Sequence, residues 1–275
     1  MPDTRKCVNL KLDKSNLNSE TEADYMIFNT MGDKANPAVL FFHAMGVTGD
    51  SSIPVAEYLK ENYYCIMPTS TVYCAGQKYI SKVDEVRQIR EFLEKQGVKK
   101  PKLVVASSIG ADLAMAFLTT SGIPVEHVFF DGGQFAQIPK SLRSIMTPFL
   151  YLAIKSLYWS KGKTLKKILW CDDENIKPYF IKAGKGLSYG NLRRQLAESL
   201  ENKPFPELPE EFQKKTFWEF GSIEDHFKYR DNVMKSYPQG NFPVFEGYNH
   251  MQAQIRDPEG FARMMVSVIE HNKLS

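Results

Sequence analysis

The sequence predicts an α/β fold: a mainly parallel sheet flanked by helices and interrupted by one helical insertion. Three observations carry this. Apolar runs rich in β-branched and aromatic residues alternate with stretches of helical periodicity along most of the 275 residues, the pattern of a parallel sheet with crossover helices. The run Ala38 to Phe42 is apolar throughout, as a strand buried on both faces requires. Between about Gln134 and Phe212 the β pattern stops and helical, aromatic-rich sequence takes over.

The elements follow in order. Val8 to Leu12 and Tyr25 to Thr30 read as two edge strands, and Ala38 to Phe42 as a buried strand ending at His43. A helix is expected over Ile53 to Glu61, then a strand at Tyr64 to Met67, closed by Pro68 because proline cannot donate to a ladder. Lys82 to Gln96 places Val83, Val86, Ile89, Phe92 and Leu93 at helical spacing and stops at Gly97. Leu103 to Ser107 is a strand leading into the helical pattern Ala111 to Leu118; Val125 to Phe130 is another, ending at Asp131-Gly132-Gly133. Thr216 to Phe220 and Val244 to Phe245 complete the sheet, and Pro258 to His271 is a closing helix. This gives a core of residues 1–133 and 213–275 around an insertion of residues 134–212. Tyr151, Tyr158, Trp159, Trp170, Tyr179, Phe180 and Tyr189 lie in the insertion; most should pack among themselves, and a minority should wall a pocket.

Composition excludes several classes. A net charge of +3 arises from 35 basic and 32 acidic residues scattered along the chain, so nucleic-acid binding is not expected. Cys7, Cys65, Cys74 and Cys171 show no C-x-x-C spacing, and a chain this long needs no disulfide staples, which points to a reducing, cytoplasmic setting. The segment Met1 to Asn9 lacks the apolar run of a signal peptide. Ile145 to Trp159 is interrupted by Pro148, Lys155 and Ser156, too short and polar to span a bilayer; no stable membrane insertion is expected.

The chemistry-bearing feature is Ala106-Ser107-Ser108-Ile109-Gly110, at the corner between a strand and a helix. A nucleophilic serine at such a strained corner needs small side chains two positions before and two after it. Ser108 has Ala106 and Gly110 there, whereas Ser107 would have Val105 and Ile109. Steric fit therefore selects Ser108.

A serine nucleophile needs a histidine base and an acid that orients it. His250, in the loop Gly247 to Met251 before the closing helix, follows both the serine and a carboxylate-bearing loop. Of the others, His43 should order the loop after its strand, His127 lies within a strand, His226 reads as a surface residue, and His271 ends the closing helix. Gly221-Ser222-Ile223-Glu224-Asp225 offers two acids; Glu224 is placed first and Asp225 second. Asp131 is a third option, better read as forming a turn with Gly132 and Gly133. For the oxyanion, one donor is the Ile109 N–H; the other is Met45 N–H, with Ala44 as the alternative, in the loop His43-Ala44-Met45-Gly46.

These residues together resemble the α/β-hydrolase fold family, in particular capped serine hydrolases of carboxylesterase type, over about Tyr25 to the closing helix. The chain carries Ala106 where the family usually has glycine, and His43-Ala44 where it usually has His-Gly; both substitutions remain small, implying a narrower site. The resemblance implies hydrolysis of a small-to-medium apolar carboxylic ester through an acyl-enzyme on Ser108, with no metal and no cofactor. It leaves open thioester, amide or carbon–carbon bond hydrolysis, and a ligand-binding protein without turnover. The only partner implied is the small acyl substrate, and a homodimer is compatible.

Overall fold

The computed structural model describes residues 6–8, 25–133, 138–166, 174–199 and 205–274. Its strands are β1 (Lys6–Val8), β2 (Ile27–Met31), β3 (Ala38–Phe42), β4 (Tyr64–Thr69), β5 (Leu103–Ser107), β6 (His127–Asp131), β7 (Thr216–Gly221) and β8 (Val244–Phe245). They form one sheet in the order β1-β2-β4-β3-β5-β6-β7-β8. From β4 to β8 all neighbours run parallel, and β1 and β2 add an antiparallel margin. Of the first expected strand only Val8 lies in β1; residues 9–12 fall outside the described residues.

The helices are α1 (Ile53–Leu59), α2 (Lys82–Gln96), α3 (Gly110–Thr120), α4 (Lys140–Trp159), α5 (Lys177–Gly186), α6 (Tyr189–Glu198), α7 (Glu210–Gln213), α8 (Arg230–Ser236), α9 (Gln252–Arg256) and α10 (Pro258–His271). Two local signals explain the sharp limits of α2: the Ser81 hydroxyl accepts from Asp84 N–H at 3.1 Å, and Gly97 closes the helix in the left-handed region. Asp257 caps α10 in the same manner, accepting from Gly260 N–H at 2.8 Å. Val83, expected on the apolar face of α2, is exposed in its first turn. Pro68 does not close β4, which continues to Thr69. Beyond Ile66 this strand pairs only with β2, so the proline sits where one edge is already open.

The sheet buries both faces, and alternation decides which residue goes where. Leu40, Val104, Ala106, Val128, Phe130 and Trp218 pack with α2 and α3 through Ile89, Phe92, Ala114 and Phe117. The intervening positions Val39, Phe41, Val105, Phe129 and Phe217 pack with α1 and α10 through Leu59, Phe261 and Met265.

Helices α4, α5 and α6 lie between β6 and β7 in the chain, where the described residues contain no strand. They are tied at their ends. Arg143 of α4 donates to the carbonyls of Leu196, Ala197 and Ser199 at 3.1, 2.8 and 3.0 Å, closing the C-terminus of α6. Lys155 donates to Gly184 O at 2.8 Å near the end of α5. Inner faces of these helices bring Leu150, Tyr151, Ile154 and Ala183 against Met45, Tyr73 and Ile109, at the C-terminal end of the sheet. Gln134, Trp170, Cys171 and Pro204 of the expected insertion lie outside the described residues. No helix among the described residues is long and apolar enough to cross a membrane.

Candidate active site

The corner between β5 and α3 has the geometry its sequence demands. Ser108 is buried and adopts φ +53°, a left-handed conformation costly for a non-glycine residue. Its N–H donates to Asp131 O at 3.0 Å, anchoring the turn to β6. A Cβ at position 110 would stand 2.5 Å from Phe42 O and 2.7 Å from His43 O. Only glycine allows α3 to start so close to the end of β3. Ser107, the alternative serine, is the last residue of β5, and its hydroxyl accepts from Gln254 Nε2 at 3.0 Å.

His250 and Glu224 come together across 26 residues of chain: His250 Nδ1 lies 2.8 Å from Glu224 Oε2. The Glu224 side chain is fully buried, at 0% exposure, whereas Asp225 is exposed. A buried carboxylate bonded to Nδ1 holds the proton on that nitrogen and leaves Nε2 with its lone pair free. That Nε2 is buried and has no hydrogen-bond partner among the described residues. The two loops are stitched together by their backbones, Ser222 N–H donating to Phe245 O at 3.0 Å and Ile223 N–H to Tyr248 O at 3.2 Å. Met251, just after the imidazole, is held at φ +59°.

Sequence reading missed three contributors. Gly132, which the sequence places in a turn, has a positive φ, and a Cβ there would lie 2.5 Å from His250 Nδ1 and 3.1 Å from Glu224 Oε2. Its bare backbone is the floor on which the pair sits. His226, expected at the surface, instead packs edge-on to His250 with ring centroids 4.9 Å apart. Burial, together with the neighbouring His250, pushes its pKa down to about 4.

The third is a polar row. Ser107, Asp131 and Glu219 are in register on β5, β6 and β7, and Gln254 of α9 donates to both Ser107 and Asp131. Asp131 and Glu219 are buried and hydrogen-bonded to each other, and burial pushes both carboxyls upward. Two acids so placed share one proton. Asp131 is therefore a structural carboxyl as well as a turn residue. Gln254 ties the helix after His250 to the strand before Ser108.

The loop after β3 is fixed from two sides. His43 Nε2 accepts from Ser70 N–H at 3.0 Å, so its proton is on Nδ1, which bonds Ala44 O at 2.8 Å; burial holds this imidazole below its ordinary range. Tyr73 Oη accepts from Gly46 N–H at 3.0 Å. Between these pins, Ala44 is buried and Met45 half-buried, and Met45 packs in the same apolar cluster as Ile109. The N–H groups of Ala44, Met45 and Ile109 meet no acceptor among the described residues. His127 lies at the start of β6, at the opposite end of the sheet, and His271 is exposed at the end of α10. Tyr151 stacks edge-on with Tyr189 at 5.6 Å and adjoins the cluster around Ile109, while Tyr158 and Trp159 are exposed.

No protein-family model matches the sequence, and no curated protein matches it. Solved structures do resemble the chain. A hydrolase from Pseudomonas aeruginosa is 10% identical, with a TM-score of 0.70 over 94% of this chain and 100% of that one. A carboxylesterase study of Nitrososphaera gargenis supplies another at 15% identity, TM-score 0.67, covering 92% and 98%. A bromoperoxidase from Bacillus anthracis follows at 13% identity, TM-score 0.68, covering 89% and 95%. Such varied descriptions on one architecture speak to the fold and not to one reaction. The chain has the α/β-hydrolase fold.

Proposed function

We propose that this protein is a serine hydrolase that cleaves a small-to-medium apolar carboxylic ester through an acyl-enzyme. The observation that supports it most is the buried Glu224–His250 pair at 2.8 Å, whose Nε2 has no partner among the described residues, combined with the left-handed Ser108 at the sheet's C-terminal end. In this reading His250 Nε2 takes the proton from Ser108 Oγ as the oxygen attacks the carbonyl carbon. Glu224 holds the resulting imidazolium. The N–H groups of Ile109 and Met45, with Ala44 as the alternative to Met45, receive the oxyanion. Collapse expels the alcohol, protonated by His250; a water, deprotonated by the same nitrogen, then attacks the acyl-enzyme and releases the acid. The acyl group lies against Met45, Ile109, Leu150, Tyr151 and Ile154, an apolar wall suited to short or medium chains. Neither a metal nor an organic cofactor has a step in this scheme.

A fluorophosphonate probe tests it, with the adduct located by peptide mass. One adduct on Ser108 is expected, absent in Ser108→Ala and kept in Ser107→Ala, together with turnover of an activated short-chain ester. Labelling on Ser107, or ligand binding without any turnover, would reject the assignment.

A further inference from the structure

Helix α4 has two unlike sides. Arg143, Thr147, Ile154 and Leu157 are buried within the insertion. Facing away from them are Leu142, Ile145, Phe149, Leu152 and Trp159, at the i, i+3, i+7, i+10 and i+17 positions that align on one face of a helix. These are large apolar side chains left in solvent: Ile145 is 61%, Phe149 69% and Trp159 63% exposed. A stripe of this kind, broken only at Ser156 before Trp159, marks an interaction surface.

Charge identifies the partner. From Gly132 to Cys171 the sequence contains no acidic residue. Exposed lysines stand at both ends of the stripe, Lys140 before it and Lys161 and Lys163 beyond it. Pairing this face with a second copy of itself would set cations against cations, whereas an anionic surface complements it. Leucine, phenylalanine and tryptophan along one face with lysines at the margins is the composition of helices that lie in a membrane interface. Since no described helix can cross a bilayer, the fit is to the plane of the interface.

We propose that the outer face of α4 docks this protein peripherally on an anionic lipid surface, with Ile145, Phe149, Leu152 and Trp159 set among the headgroups. The inner face of the same helix carries Leu150, Tyr151 and Ile154 of the wall above Ile109. One helix thus separates the lipid surface from the candidate acyl pocket. Docking is independent of turnover and holds whether or not Ser108 reacts.

Co-sedimentation of the full chain with vesicles tests the proposal. With equimolar phosphatidylglycerol and phosphatidylcholine the protein should pellet, and added salt should weaken binding. Pure phosphatidylcholine should retain little. The double variant Phe149→Ser/Leu152→Ser should bind the anionic vesicles about tenfold more weakly or less, with melting temperature and hydrolysis of a short soluble ester unchanged, because both side chains point into solvent. Absence of wild-type binding, equal binding to pure phosphatidylcholine, or equal binding by the double variant would each overturn the proposal. So would a dimer in sedimentation velocity that the double variant dissociates, since the stripe would then be a self-interface.

Discussion

The C-terminal end of the sheet and the outer face of α4 break the ordinary distribution of side chains in opposite directions. The sheet end buries ionisable groups: His43, Asp131, Glu219 and Glu224 are all withdrawn from solvent. Helix α4 exposes Ile145, Phe149 and Trp159. Both arrangements cost stability, the first through desolvation and the second through hydrated apolar surface. The difference lies in how each cost is met. At the sheet end the partners are internal, since every one of those groups has a hydrogen bond or a shared proton. On α4 they are external. Exceptions of this sort are where function is expected, because local folding rules are relaxed only where something is gained.

The largest separation between the two regions is expected on removing the imidazole of His250. His250→Ala should lower kcat/KM on a short ester by about a thousandfold or more, while vesicle binding stays at the wild-type level. Among the acids, Glu224→Gln should cost far more than Asp225→Asn, since only the Glu224 carboxylate meets the imidazole. An Asp225→Asn variant with the larger loss would transfer the role to that residue.

Next comes Gly132→Ala. A methyl group 2.5 Å from His250 Nδ1 must displace the imidazole or the turn, and a shift near 1 Å in a catalytic group costs about a hundredfold. Activity should fall on that scale with retained secondary structure. Near-normal kinetics would show that the floor under the pair can yield.

The smallest effect concerns stability. Glu219 keeps its proton in the fold because burial and Asp131 push its pKa up. A carboxyl whose folded pKa is raised contributes fully below the ordinary carboxylate range, and its contribution declines as pH rises towards the folded value. Glu219→Gln preserves a donor to Asp131 with no proton to lose. It should therefore match wild type near pH 4 and exceed it by about 1–2 kcal/mol near pH 8, measured by denaturant unfolding at several pH values. A variant weaker than wild type at every pH would mean that the pair does not share a proton.

Much of this was legible in the chain. The register of the elbow follows from Ala106 and Gly110, because the steric demand falls on positions two residues away; the span of α2 up to its stop at Gly97 and that of α10 from Pro258 were readable as well. The pairing of Glu224 with His250, both downstream of Ser108, was likewise readable as an expectation, and the fold brings those two side chains together. What could not be read was proximity. Gly132 looks like any glycine after a strand, His226 like a polar loop residue, and Asp131 like a turn former, until residues from β6, the acid loop and α9 are brought within contact distance.

By itself, then, the sequence determined the alternating sheet and helices, the corner at Ser108 and the limits of α2 and α10, since each depends on contacts within a few residues or on burial of a continuous apolar run. Tertiary structure alone decided which of two adjacent carboxylates meets His250, because Glu224 and Asp225 differ only in the side of the loop each faces. It also decided the shared proton between Asp131 and Glu219, which lie 88 positions apart but become neighbours once β6 and β7 pair. And it decided that the apolar residues of α4 divide between an inner wall and an outer stripe, since only packing against α5 and α6 determines which side of an amphipathic helix is covered.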